Sequence, residues 1–434
     1  MVGVKMNKKE KLYDLFWYMV GLLFFGFTAL IYSIAISRII GIEAAGKFNF
    51  AYTVACTFFA VGVYFGKSFQ ITDKSNRYSD SDYLYNRLTT CLLMLILTII
   101  FCLLKRYDLE KIILIMLLTL YRGMDAFVDS IHAIVQKKDR TYKVGMSYFF
   151  RTLLLIILFI ISLLLFKNII ISSLALPLVN VLFVLIIDFK IAKNNINVTK
   201  FSKGKNFILL IEGFSVFIFS FLAVYVVNAS KYAIDSFSND TIQGIFGIII
   251  MPASFVSLVS LYIVQPFLNN ISGLLENKDI KSLNRLIFKL VIGIIFIGVF
   301  TIFIANFIGI PILSYLYNVN IDNQKLNLII ILIGSIIYSI YSLLSQVLVA
   351  MRKNLYQVFS LLITFVFSII ISNYLVIKYE INGASYAYFI VMTILMLLIM
   401  LGYIYYSNKI KKDEKTIKMR LMGGLGNQMF EYAA

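Results

Sequence analysis

Residues 110–136 read EKIILIMLLTLYRGMDAFVDSIHAIVQ. Within this run Arg122, Asp125, Asp129, His132 and Gln136 recur at spacings of 3, 4, 3 and 4, which at about 100° per residue confines them to one narrow stripe of a helix. The opposite side carries Leu120, Met124, Phe127 and Ile131. The run is long enough to cross a bilayer, and a charge near the centre costs about 2.5–3.5 kcal/mol on insertion scales. Three such charges cannot face lipid. The stripe must face other protein or a wet cavity, so this helix needs a bundle around it.

The rest of the chain supplies one. Its 434 residues are 60% hydrophobic with a mean hydropathy of +0.88, well above the roughly 45–50% apolar content of soluble domains. Apolar windows of about 20 residues fall near 15–37, 46–66, 86–104, 110–136, 144–166, 168–189, 206–228, 241–264, 283–309, 326–350, 355–377 and 382–406, which predicts an all-α polytopic membrane protein of about twelve transmembrane helices. The first window follows Lys5, Lys8, Lys9 and Lys11 as a signal peptide would, but it exceeds a signal core in length and reads as a retained span.

The formal net charge of +18 does not point to nucleic acid, because the cations sit in short links between apolar runs. Of the 40 Lys and Arg, 29 lie on the side of both chain ends and 9 on the other, with Arg122 and Arg151 inside spans. Positive charge is retained on the cytoplasmic side, so a multi-pass protein of the bacterial cytoplasmic (inner) membrane with both termini cytoplasmic is expected. The polar link 191–205 divides the spans six and six, giving an N-terminal lobe 1–190, a C-terminal lobe 206–406 and a basic tail 407–434. Ser37-Arg38 followed by Gly46-Lys47-Phe48 matches Ser230-Lys231 followed by Gly244-Ile245-Phe246, and Lys138–Val144 matches Arg352–Val358. Parallel repeats of this kind put a transport site at their interface; chance likeness between apolar helices is the competing account.

Cys56, Cys91 and Cys102 all lie in apolar runs and read as packing residues, with no disulfide framework and no metal site. No nucleophile–base constellation or complete phosphate loop suggests a catalytic residue or a cofactor.

Two stretches carry a resemblance: SKYAIDSFSNDTIQGIFGIIIMPASFVSLVSLYIVQPFL from Ser230 and SRIIGIEAAGKFNFAYT from Ser37, with DSIHAIVQKKDRTYKVGMSYFFR between spans four and five. Over residues 10–405 the chain resembles Wzx-type polysaccharide (O-antigen or capsule unit) flippases of the multidrug, oligosaccharidyl-lipid and polysaccharide exporter superfamily. That resemblance implies two six-helix lobes in a V. It also implies alternating access that carries an undecaprenyl-diphosphate-linked oligosaccharide across the membrane, coupled to H+ or Na+. Membrane lipids, a polysaccharide polymerase and glycosyltransferases would be its partners. An ion-coupled multidrug exporter and a peptidoglycan-precursor flippase of the same superfamily are the alternatives, although the latter usually has two further spans. A polymerase or ligase would need a large external loop, and every external link here is short.

Candidate substrate residues follow from charge. A guanidinium grips phosphate through two parallel hydrogen bonds, which nominates Arg122 and Arg151, with Asp125 and Asp129 holding Arg122 when no anion is bound; simple packing through those carboxylates is the other reading. Arg38 and Lys231, at matching outer ends of spans one and seven, either steer the outward cavity or sit at the interface. His132 titrates near neutrality and Glu212 lies beside Gly213 in span seven; both are ion-coupling candidates, with a solvated, idle His132 as the alternative. Pro252 and Pro177, inside spans eight and six, are hinge or purely structural prolines. The last sixteen residues, Met419 to Ala434, resemble the glycine-rich start of an α-1,2-fucosyltransferase. They are too few to form a core, so no transferase activity is expected.

Overall fold

The computed structural model describes residues 8–73, 77–137, 141–192 and 203–415; the fucosyltransferase-like tail and the link 193–202 lie outside them. The described residues form helices and connecting turns, without a strand. The first span is α1 (Lys8–Gly26) and α2 (Thr28–Ile39), which meet at Phe27. It is followed by α3 (Ile42–Val63), the short α4 (Gly66–Thr72), α5 (Asp80–Leu104), α6 (Leu109–Gln136) and α7 (Thr141–Phe166). Then comes α8 (Ile169–Phe183), which runs through a π-turn (Val184–Asp188) into α9 (Phe189–Ala192). The second set opens with α10 (Lys203–Phe237) and α11 (Asp240–Val264), then the short α12 (Leu268–Glu276) and α13 (Ile280–Ile304). It closes with α14 (Ile310–Tyr317), α15 (Lys325–Ala350) and two helices, α16 (354–379) and α17 (381–415), that break at Glu380, φ +48°.

Nine helical stretches among the described residues are long and apolar enough to cross a membrane. The last holds both α16 and α17, and α3 and α6 are equally long but carry polar or charged side chains. Together these make the twelve spans expected from the sequence. The short helix α4 lies in the link before α5, while α12 and α14 continue the membrane-crossing stretches Asp240–Glu276 and Ile280–Tyr317.

Helix starts are fixed by side chains that take up the free N–H groups of a first turn. Ser79 and Asp82 form a capping box at α5, while Asp108, Asn168, Asn239 and Asp279 cap α6, α8, α11 and α13. Asp14 of α1 does this for a neighbour, accepting from the Thr141 hydroxyl at 3.1 Å and the Tyr142 N–H at 3.3 Å at the start of α7. The same pair of helices crosses closely: a Cβ at Gly21 would stand 2.1 Å from the Gly145 carbonyl oxygen. Only a glycine fits there.

The buried apolar side chains separate by position in the chain. One cluster, from Leu222 to Tyr403, joins α10 to α17. A second, including Tyr32, Phe48, Tyr121 and Phe159, joins α2, α3, α6, α7 and α8 and receives Tyr232 from α10. Helix α10 therefore has one face in each.

Candidate substrate cavity and its charged flank

Between the two clusters lies a cavity of about 360 Å³. Its walls come from α1 and α2 (Phe27, Leu30, Ile34), α3 (Asn49, Tyr52, Thr53, Cys56), α10 (Asn228, Lys231), α11 (Met251, Pro252, Phe255) and α14 (Leu313, Leu316). Most of this wall is apolar, as expected inside a bilayer. Lys231 is its charged side chain. Its ammonium donates to the Thr53 hydroxyl at 3.4 Å and forms no ion pair among the described residues. A cation whose partner is a neutral hydroxyl keeps most of its capacity for an anion.

The charged stripe of α6 lies behind the α3 wall of this cavity and splits into three levels. At the first, Arg122 donates to Asp125 Oδ2 at 2.8 Å and stands 4.1 Å from the centre of the Phe59 ring and 5.9 Å from that of Tyr52, a cavity-wall residue. Asp125 Oδ1 accepts from the Asn180 side-chain amide at 3.1 Å and forms an ion pair with Arg151 Nη2 at 3.5 Å, while Asn180 Oδ1 accepts from Arg151 Nη1 at 3.4 Å. All four side chains are buried. Arg122 Nε and Arg151 Nε have no partner among the described residues, so each guanidinium keeps a free donor. Arg122 and Arg151 therefore meet over one carboxylate, one layer away from the cavity and not in its wall.

At the second level Asp129 leaves Arg122 and pairs at 3.4 Å with Arg87 of α5. The reason is geometric: Asp129 is seven residues, two turns, along α6 from Arg122, and at that depth α5 is the neighbour that presents a cation. Arg87 is fully buried and also donates to the carbonyls of Gly62 and Val63, the last residues of α3. Sequence alone counts it as a charge of the 67–87 link.

The third level corrects the reading of His132 as a solvated histidine. It is 2% exposed, with Nε2 at 3.1 Å from Asp188 Oδ1 and 3.2 Å from Ser147 Oγ, and its ring edge-on to Tyr148 at 4.7 Å. Asp188 is equally buried and accepts from Ser147. The π-turn that ends at Asp188 delivers this carboxylate inward, at a place where sequence position suggested the aqueous end of a span.

Other candidates fall elsewhere. Glu212, within the membrane-crossing stretch Gly204–Phe237, pairs at 2.9 Å with Arg77, a partly exposed bridge between α10 and the segment before α5. Arg38 is not in the wall of this cavity: it donates to the carbonyls of Tyr315 and Leu316 and lies over the Tyr315 ring, holding the C-terminal end of α14, where a cation suits the helix dipole. Pro252 is in the cavity wall, and Pro177 is buried inside α8. The sequence reading missed Arg87, Asn180, Thr53 and Cys56. Asn180 carried a signal, as an amide in the middle of a largely apolar span; the others did not stand out. Among the described residues no group of three or more His, Cys, Asp or Glu could hold a metal ion.

The cavity is closed at the end of the bundle that carries Glu380. There a Cβ at Gly46 of α3 would meet the Asp240 carbonyl oxygen at 1.8 Å, and one at Gly244 of α11 the Ile42 carbonyl oxygen at 2.5 Å, so two glycines let the backbones touch. Ser37 adds a hydrogen bond of 2.8 Å to the Tyr317 carbonyl. Lys111 pairs with Asp235, its ammonium 4.8 and 4.6 Å from the ring centres of Phe50 and Tyr107, while the Tyr107 hydroxyl donates to the same carboxylate at 2.6 Å.

No family model matches the chain. It is 26% identical over 381 residues to the capsular polysaccharide biosynthesis protein CapF of Staphylococcus aureus, a match covering 85% of this chain and 92% of that one. Among solved structures, the lipid II flippase MurJ in an inward closed conformation matches with a TM-score of 0.67 at 15% identity, covering 96% of each chain. An inward-facing multidrug resistance MATE family transporter of the MOP superfamily matches with a TM-score of 0.65 at 13% identity, covering 91% of this chain and 99% of that one. The chain thus has the all-helical fold of the MATE and MurJ exporters.

Proposed function

We propose that this protein is a flippase that carries a lipid-diphosphate-linked oligosaccharide across the bacterial cytoplasmic membrane for surface polysaccharide synthesis, with the diphosphate held at Lys231 in the cavity. The observation that carries this reading is the Lys231 ammonium, which lines the cavity with the Thr53 hydroxyl as its partner and no carboxylate beside it among the described residues. The diphosphate is the charged part of such a substrate, and a cation in a low-dielectric cavity offsets its desolvation. Arg122, one layer back against Tyr52, adds to the positive potential there. The capsule-biosynthesis name of the 26% identical relative supports the polysaccharide class. An exporter of cationic drugs fits less well, because a cationic cavity repels such a cargo.

In this proposal both termini are cytoplasmic, the Glu380 end faces outward, and glycosyltransferases and a polymerase act before and after the flip. The coupling ion is a proton taken up by the buried His132–Asp188 pair. The test is export at matched membrane levels in a strain lacking its own flippase, together with binding of undecaprenyl diphosphate to purified protein. Lys231→Ala is expected to lose both, and Lys231→Arg to recover part of each. Binding and export by Lys231→Ala equal to those of the parent would overturn the assignment.

A further inference from the structure

By sequence, α10 opens the second set of six spans; by its polar bonds, it belongs to the first. Near its start Lys205 pairs with Asp82 at 3.3 Å and Asn206 receives the Asn86 amide. One to two turns on, the Leu210 carbonyl accepts from Tyr64 at 3.0 Å and Glu212 pairs with Arg77. Near its end the Tyr232 hydroxyl donates to Thr57 at 2.8 Å and Asp235 pairs with Lys111. These bonds span about 45 Å of helix at about 1.5 Å per residue, more than the thickness of a bilayer core. Rings join the same seam between them, with Phe217 stacked on Tyr64 at 5.0 Å and Phe221 against Phe58 at 6.0 Å.

The opposite face of α10 is different. It meets α16 and α17 through apolar side chains of the cluster that runs from Leu222 to Tyr403, such as Leu222, Val226 and Ile234, with the Tyr225 ring 4.7 Å from that of Phe365. Among the described residues a single side-chain hydrogen bond crosses it, from the Ser230 hydroxyl to the Ala384 carbonyl at 2.9 Å. Apolar faces can exchange one set of contacts for another in small steps, whereas a row of directional bonds has to break for the seam to part.

We propose that α10 moves with the first six spans when the cavity changes the face it opens to. The moving boundary then runs between α10 and α16/α17 and through the short link Ser238–Asn239, and not through the polar link that precedes α10. Transport would thus be a motion of seven spans against five. The inference rests on the two-state transport reading above, and the experiment separates the two.

The experiment uses protein freed of Cys56, Cys91 and Cys102, reconstituted in liposomes and spin-labelled at cysteine pairs placed on exposed positions: Leu92 with Phe214 (α5–α10), Phe214 with Leu401 (α10–α17), and Leu92 with Leu401. Distances are compared between this background and Gly46→Val, which pushes α3 off α11 at the closed end. Gly244→Val drives the same separation from the other helix if the first variant folds poorly. The expected result is an unchanged α5–α10 distribution, while the two pairs that include α17 shift beyond the width of their parent distributions. A shift of the α5–α10 pair with a fixed α10–α17 pair overturns the proposal. If all three pairs stay fixed in both variants, the two-state transport reading fails and this proposal falls with it.

Discussion

Between α3 and α9 the protein buries Arg87, Arg122, Asp125, His132, Arg151 and Asp188, whereas from residue 240 onward the buried polar side chains among the described residues are all uncharged. In that second region serine and threonine hydroxyls bond back to carbonyls one turn earlier on their own helix, as Ser339 does to Ser335 and Thr364 to Ser360. Such hydroxyls satisfy themselves and leave the helix surface small. The charged interior cannot satisfy itself. Every member of it depends on a partner from a different helix or a different turn, and each has a desolvation cost that packing alone would not offset. The comparison teaches that one half is built to hold its shape, while the other holds charges whose arrangement can change.

The sharpest way to break this contrast is to remove one charge and measure unfolding in mixed micelles by SDS titration. Asp125→Ala leaves Arg122 and Arg151 over no carboxylate, and the expected loss is about 3–5 kcal/mol, with Asp125→Asn milder because it keeps an acceptor. A loss below about 1 kcal/mol would show that water reaches this level and that the buried network is not what holds α6, α7 and α8 together. In the uncharged region the largest comparable change is Gln357→Ala, which strands the Ser345 hydroxyl now bonded to it at 2.6 Å. There the expected cost is about 1–3 kcal/mol.

How much of this was legible in the sequence differs between the two regions. The spacing of Arg122, Asp125, Asp129 and His132 was enough to predict a protein-facing stripe, because helical periodicity is a local property. Its division into three levels was not legible, since Arg87 and Asp188 come from helices distant in the chain and sequence position put both near aqueous ends. The twelve spans were readable from apolar length; α4, α12 and α14 were not, being short and continuous with apolar runs. The cavity itself was half visible. Lys231 and Pro252 were named from the repeat and the proline rule, whereas Thr53 and Cys56 became wall residues only through the approach of α3 to α10 and α11.

Smaller effects sharpen the comparison further. Ser339→Ala and Thr364→Ala should each change stability by less than about 0.5 kcal/mol, because a hydroxyl bonded to its own helix contributes little to the fold; the same micelle titration checks this, and a cost above 1 kcal/mol would mean that these hydroxyls bridge helices. The smallest expected effect is at Asp279, outside the spans. Hydrogen bonds from Ser282 hold its carboxyl below the usual carboxylate range. The contribution of this cap is therefore present above the unfolded value of about 3.9 and is lost as pH falls through the lower folded value. Asp279→Asn, which keeps an acceptor but cannot titrate, should flatten the acid limb of a melting-temperature profile below about pH 4 and leave the neutral region unchanged. An acid limb identical to that of the parent would remove Asp279 from the account.

The π-turn at Val184–Asp188 has a consequence best stated in the language of chain length. A π-turn is an α-helix carrying one residue too many, so everything after it is rotated by about 100° from where an uninterrupted helix would put it. Deleting one residue from the lipid-facing run, Ile186 for example, would leave the composition of the helix almost untouched and yet carry Asp188 away from His132. The pairing of Asp188 with the only histidine thus depends on the length of this helix as well as on residue identity. A lineage could gain or lose this site in a single step while every neighbouring side chain stays the same.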